Sequence, residues 1–307
     1  MEVCSNLVKA GAPEAKKRLG QHFLRDKGVL NRIVRWIDPT PEQVFIEIGA
    51  GTGALSTLIA EKAAALSAIE LDSDCLPVLE EALAPFDTAV VVPGDILNLD
   101  LVELVAEHLQ PALSGRHLHV AGNLPYNIGT AIIERLLHSE IPIEAMFFML
   151  QLEVAERILA HPDTREYGYL SVMCQHRADA RMGFKVAPAC FAPRPKVMSA
   201  VISLHPKPQP VLSENPAWEA NFEALVKASF AHRRKTLANS LSRSPHFGDM
   251  AANLLAQAQI DGARRAENLS IAEYEHLAEI FHREFAEKGI CRDRDCPGNR
   301  SDFCDIS

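Results

Sequence analysis

Val44-Phe-Ile-Glu-Ile48 is a short buried-strand pattern that runs directly into Gly49-Ala-Gly-Thr-Gly53. A strand ending in closely spaced glycines narrows the choice of fold. In an open α/β sheet, ligands bind beyond the carboxyl ends of the strands, where a glycine-rich turn lets backbone approach them. The flanking chain agrees with that architecture. Apolar spacing predicts a helix over 28–37, then helices over 54–65, 75–84, 101–109, 130–138 and 153–159. Short apolar runs predict strands over 66–71, 88–92, 117–121 and 145–150 between them. This alternation implies right-handed βαβ units in a mostly parallel sheet with helices on both faces.

The period then changes. Residues 180–186 and 197–204 alternate as strands around the proline-rich Pro188-Ala-Cys-Phe-Ala-Pro-Arg-Pro195, which suits an antiparallel hairpin at the sheet edge. Pro206-Lys-Pro-Gln-Pro210 reads as a stiff linker. Beyond it, 218–230, 234–241, 250–258 and 271–285 read as helices. The expected division is a disordered 1–15, an α/β domain over 16–205, a linker over 206–210, a small all-α domain over 211–290 and a disordered tail over 291–307.

No apolar run approaches the ~20 residues of a membrane span, and the N-terminus lacks an apolar signal core. A cytoplasmic protein is expected. The cysteines are scattered with no C-x-x-C pair, and Cys291, Cys296 and Cys304 fall in the polar tail, so free thiols are expected and no metal site. The net charge of −9 argues against a nucleic-acid partner until its distribution is considered. Segments 16–35, 177–207 and 227–243 carry more than half of the 31 Lys and Arg and only two acids, Asp26 and Asp179. Such a clustered basic footprint binds phosphates locally.

Three further features sit where strands end. Glu70 closes the strand after the glycine loop, the usual place for an acid that grips ribose hydroxyls, and Asp95 closes the next, where it could read an adenine edge. The strand over 117–121 stops at Gly122-Asn-Leu-Pro-Tyr-Asn127. Pro125 removes a donor and pushes Leu124 towards an extended conformation. The resulting stiff turn offers the Asn123 amide, the Leu124 carbonyl and the Tyr126 ring together, a set suited to a planar base with an exocyclic amine. The glycine spacing is G-x-G-x-G after Glu47; a dinucleotide fingerprint needs G-x-G-x-x-G. A nicotinamide oxidoreductase is therefore disfavoured, and the loop resembles motif I of class I methyltransferases that use S-adenosylmethionine. Asn123-Leu-Pro-Tyr126 likewise resembles the Asn-Pro-Pro-Tyr class of motif in amino-methyltransferases.

Taken with Lys17-Arg-Leu-Gly-Gln-His-Phe-Leu24, Tyr167-Gly-Tyr-Leu-Ser171, Phe191-Ala-Pro-Arg-Pro-Lys-Val197, Phe230-Ala-His-Arg-Arg-Lys-Thr-Leu237 and Arg265-Ala-Glu-Asn-Leu-Ser270, the chain resembles the bacterial KsgA-type rRNA adenine dimethyltransferases over roughly residues 16–285. The resemblance implies a class I S-adenosylmethionine-dependent methyltransferase fold with a helical RNA-binding domain. It implies dimethylation of two adjacent adenines near the 3′ end of small-subunit (16S) rRNA within an immature 30S subunit, by a monomer needing neither metal nor membrane. It places S-adenosylmethionine against His22, Leu24, Gly49, Gly51, Glu70, Asp95 and Asn123. It places the target base against Asn123, Leu124, Pro125 and Tyr126, with Phe191 as its second face. Lys16, Lys17, Arg18, Arg194, Lys196, Arg233, Arg234 and Lys235 would grip rRNA phosphates. Many relatives have Asn at the position of His22 and Asp at that of Met198. Alternatives are a macrolide-resistance type of 23S rRNA adenine N6-methyltransferase and a largely non-catalytic 30S assembly factor.

Overall fold

The computed structural model describes residues 15–16, 19–208 and 215–287. The expected disordered start (apart from Ala15), the tail over 291–307 and the last two linker positions lie outside the described residues. The chain divides into two compact units: Met1–Ala155 with Ala178–Pro206, and Glu156–Arg177 with Lys207–Ser307. The proline-rich linker marks one crossing between them. The second unit also takes in residues 156–177, which the expected division assigns to the first.

The first unit begins with β1 (Phe23–Leu24) and α1 (Lys27–Ile37). The Asp26 side chain accepts from the Val29 N–H and caps α1, which buries Leu30, Ile33, Val34 and Ile37. Each such side chain contributes roughly 1.5–3 kcal/mol on leaving water. Then follow β2 (Gln43–Ile48), α2 (Ser56–Ala60), β3 (Ala65–Glu70), α3 (Leu76–Leu83) and β4 (Ala89–Pro93). Next, α4 (Leu101–Leu104) continues through a π-helical turn at Val105–Leu109 into α5 (Gln110–Leu113). The wide turn lies just ahead of Pro111, which brings no N–H to an ordinary helical ladder. After them come β5 (His117–Asn123), α6 (Gly129–Leu137) and β6 (Ile143–Gln151). The chain then forms α7 (Leu152–Ile158) and α8 (Tyr169–Arg177), and returns as β7 (Ala178–Val186), β8 (Phe191–Ala192) and β9 (Ser199–Pro206).

The seven-stranded sheet has the order β4-β3-β2-β5-β6-β9-β7. The first five strands are parallel; β9 runs antiparallel between β6 and the edge strand β7. β1 pairs with β8 as a separate small ladder, Leu24 against Phe191. The helix expected over 54–65 stops at Ala60. Ala64 already donates to the Gln43 carbonyl, and Ala65 opens β3, so pairing with β2 overrides the helical preference of the alanines.

The second unit is helical: α8 with α9 (Pro216–Phe230), α10 (Leu237–Leu241), α11 (Ala251–Gln257) and α12 (Ile271–Glu287). Its core contains Trp218 stacked on Phe222 at 5.3 Å and Phe247 against Phe281 at 4.5 Å. α8 leaves no amphipathic signature because Ser171, Val172, Met173, Cys174, His176 and Arg177 are all buried, so apolar and polar residues share its inward faces. The polar members are paired. His176 Nδ1 lies 2.7 Å from Glu275 Oε1, its Nε2 faces Glu219 Oε1 at 3.4 Å, and Arg177 Nη2 lies 2.7 Å from Glu219 Oε2. Burial by itself lowers the His176 pKa, but hydrogen bonds to Glu219 and Glu275 outweigh it and raise the value above 6.5. A histidine whose pKa is raised on folding stabilises fully below the unfolded pKa and loses that contribution as pH climbs through the folded one. Thermal melting of the protein should therefore weaken between pH 6.5 and mildly alkaline pH. The part of that decline due to this site should vanish in His176→Phe, a comparison that differential scanning calorimetry of both proteins across the range would make.

Candidate active site

Parallel register brings four strand ends level. Ile48 pairs with Ile69 on one side and Gly122 on the other, and Glu70 pairs with Pro93. A cleft of about 260 Å³ opens above them, lined by Gly49, Gly51, Glu70, Asp95, Asn123 and Tyr126 together with Gly20, His22 and apolar walls from Ile69, Ile96 and Ile132. The glycine turn has φ of 69° at Gly49 and 58° at Gly51, left-handed values that a side chain resists. Gly122 matters differently. A Cβ there would lie 2.5 Å from the Ile48 carbonyl oxygen, so only glycine lets β5 approach β2 closely enough to set Asn123 beside the turn.

Glu70 is 6% exposed. Its two oxygens accept from the Gly51 and Asp72 N–H groups, each at 2.7 Å. Burial raises its pKa and these amides pull it back in part. The carboxylate is thus already a clamp between the glycine turn and the segment after β3. Glu47, below the turn, is 2% exposed, and burial followed by repulsion from Glu70 raises its pKa to about 8, with the Ser56 hydroxyl opposing. Asp95 accepts from the Leu97 N–H and the Asn98 amide, both at 3.0 Å, which fixes its loop.

The turn after β5 is anchored by Leu124 N–H donating to Met149 O at 3.1 Å. Asn123 Nδ2 donates to the His22 carbonyl at 2.8 Å. That bond commits the amide nitrogen and turns Oδ1 the other way. Tyr126 Oη lies 2.7 Å from Ser199 Oγ, and its ring is 5.1 Å from that of His22. His22 Nδ1 in turn lies 2.7 Å from Pro193 O.

Of the expected cofactor residues, His22, Gly49, Gly51, Glu70, Asp95 and Asn123 line the cleft. Leu24 lines a smaller recess behind the glycine turn, with Phe23 and Glu47. Leu124, Pro125 and Tyr126 line the cleft, but Phe191 does not. Phe191 is 5% exposed and packs in the apolar core, held opposite Leu24 in the β1–β8 ladder. Lys16 is engaged within the chain. Its ammonium is paired with Asp72 Oδ1 at 2.5 Å and Asp74 Oδ2 at 2.7 Å, so it anchors the N-terminal segment. Burial pushes the Asp72 carboxyl up, and the hydrogen bonds from Lys16 and Gln21 outweigh it, so its pKa is lowered. Lys17 and Arg18 lie outside the described residues. Arg194 and Lys196 are exposed in the first unit. Arg233, Arg234 and Lys235 are exposed in the second, in the turn before α10, where Arg233 also donates to the Arg165 carbonyl. Among the described residues no group of three or more His, Cys, Asp or Glu could hold a metal, and no helix is long and apolar enough to cross a membrane.

Ser199 and Gly122 help to set the geometry of the cleft, and the motifs assign a role to neither. Ser199 opens β9, far in sequence from Tyr126, and only the β6–β9 pairing brings them together. Gly122 could have been found, since a glycine inside an apolar strand signals close backbone approach.

The sheet order, the glycine turn and the acids at the next two strand ends define a class I methyltransferase fold. The chain belongs to the ribosomal RNA adenine dimethylase family, whose profile matches residues 12–283. It is 41% identical over 270 residues to the ribosomal RNA small subunit methyltransferase A of Ligilactobacillus salivarius, covering 87% of this chain and 90% of that one. It is 39% identical over 274 residues to the protein of the same name from Bacillus mycoides, covering 87% and 92%. The fold is shared with the crystal structure of a dimethyladenosine transferase from Plasmodium falciparum, at TM-score 0.72 and 21% identity over 87% of this chain and 98% of that one. A 23S rRNA methyltransferase structure matches at TM-score 0.61 and 25% identity, covering 84% and 99%.

Gly122→Ala should cost roughly 1–3 kcal/mol, the usual cost of overpacking, and lower the melting temperature by several degrees on the scale of about 2–4 °C per kcal/mol. A melt of the variant indistinguishable from that of the parent would show that β5 can retreat from Ile48 freely.

Proposed function

We propose that this chain transfers methyl groups from S-adenosylmethionine to the N6 amines of two adjacent adenines near the 3′ end of 16S rRNA, in an immature 30S subunit. The observation that carries the reading is the Asn123 amide, oriented by the His22 carbonyl and set beside the glycine turn. The choice of 16S over 23S rRNA is supported by the small-subunit names of relatives near 40% identity, against 25% for the 23S enzyme. The protein acts as a cytoplasmic monomer and needs no metal.

The cleft fits the cofactor's parts: a buried carboxylate for ribose hydroxyls at Glu70, a fixed loop for the adenine edge at Asp95, and bare backbone at Gly49 and Gly51. His22, Leu24 and Asn123 complete its surroundings. S-adenosylmethionine, when bound, supplies a methyl group on a cationic sulfonium. The amine of adenine is a poor nucleophile because its lone pair is delocalised into the ring. Asn123 Oδ1 and the Leu124 carbonyl accept its N–H bonds and favour the pyramidal, nucleophilic geometry. Pro125 keeps these two acceptors in fixed relation, and Tyr126 stacks on the base with its hydroxyl held by Ser199. No strong general base is needed; the rate comes from alignment in a site whose dipoles are already oriented. Phe191 backs the N-terminal segment through Leu24 rather than facing the base. Arg194, Lys196, Arg233, Arg234 and Lys235 bind phosphates, and recognition rests on RNA shape and splayed bases more than on duplex sequence.

Asn123→Ala should lower methyl transfer to undermethylated 30S subunits by roughly 10²-fold or more, the scale seen when one preorganised polar contact is removed. S-adenosylhomocysteine, but not NAD, should raise the melting temperature of both proteins. Full activity of the variant would refute the role of Asn123. Binding of immature subunits by the unmodified protein without any transfer would select a non-catalytic assembly role.

A further inference from the structure

Five large apolar side chains are exposed among the described residues, all on the first unit, and Val197 and Met198 are the one pair adjacent in sequence. Val197 is 45% and Met198 37% exposed, while Pro195 and Ser199 on either side of the pair and its neighbouring lysine are buried. The loop that carries them is tied down at both ends of the cleft. Pro193 O meets the His22 ring at 2.7 Å, and Ser199 Oγ meets the Tyr126 hydroxyl at 2.7 Å. Met198 O also accepts from the Leu152 N–H at 2.9 Å. The apolar pair is therefore presented next to the base-holding turn on backbone that has little freedom to retract. Exposed Arg194 and Lys196 precede it in the same loop.

We infer that Val197 and Met198 form a wedge that stacks on the neighbour of the extruded adenine and fills the gap its departure leaves. The inference rests on the methyltransferase reading above. Nucleic acid presents apolar base faces framed by charged phosphates, and Arg194, Lys196, Val197 and Met198 present the complementary alternation within five residues. The loop is also bonded to the base-holding turn through Ser199 and Tyr126, so an RNA seated there reaches the pair and the cations together. Extruding one of two adjacent adenines strips the other of a stacking partner, and apolar side chains inserted between bases are a known way to hold such a distortion open. The unbranched thioether of methionine adapts its shape, which suits a wedge that must serve each of two neighbouring targets.

The test is single-turnover methyl transfer to unmethylated 30S subunits by the full chain, comparing the parent with Val197→Ser/Met198→Ser and with Met198→Leu. The double variant should lose about tenfold in rate at saturating subunits, on the order of the burial of one apolar side chain. Its affinity for the subunit should hardly change, and Met198→Leu, apolar but less adaptable, should fall between the double variant and the parent. A parental rate in the double variant would overturn the wedge, as would a loss that disappears once subunits saturate. The melting shift with S-adenosylhomocysteine reports the cleft separately. If the double variant lost that shift, the pair would be a structural part of the cleft and the wedge would again fail. An inactive parent protein would instead bring down the methyltransferase reading, and the wedge with it.

Discussion

Gly122 packs against Ile48 with no room for a Cβ, and the rest of the cleft depends on that contact. One parallel ladder carries the glycine turn on β2 and the Asn-Leu-Pro-Tyr turn on β5. Because their strands end level, two short turns 70 residues apart in sequence become the two walls of one cavity. Any side chain at position 122 would meet a carbonyl oxygen at 2.5 Å and force the walls apart. Glu70 then ties the glycine turn to the neighbouring strand end through two amide hydrogen bonds, at the cost of burying a carboxylate.

The N-terminal segment completes the cavity, and it is held mainly by polar contacts. Lys16 and Gln21 reach the buried Asp72, His22 offers its carbonyl to Asn123 and its ring to Pro193, and β1 pairs with β8. A buried acid with two donors from one short segment favours a single docking position, since leaving Asp72 unpaired would carry the full desolvation cost. The same contacts engage two of the expected site residues: Lys16 pairs with Asp72, and Phe191 packs behind Leu24.

Much of the scaffold was legible in the amino-acid pattern. The strands and most helices fall where the apolar periods place them, because a central parallel strand buried on both faces must be continuously apolar and an amphipathic helix must repeat. Three places were not legible. The helix over 54–65 is cut short by pairing of Ala64 and Ala65 with β2, which no local propensity reveals. α8 is buried on all sides and has no stripe to read. The helix expected from 234 begins only at Leu237, since Thr236 caps it and leaves the three basic residues in a turn.

By itself the sequence determined the chemistry available: a glycine turn, acids at two strand ends and a stiff amide-carbonyl-aromatic turn, each a local pattern whose residue types and spacing carry their own meaning. Only the tertiary structure decided which atoms of those groups face the cleft. The orientation of the Asn123 amide is set by a carbonyl 101 residues away, and the Tyr126 hydroxyl is held by a serine 73 residues away. Such partners are chosen by strand register and segment docking. Those are long-range properties of the packed sheet, and no run of neighbouring residues encodes them.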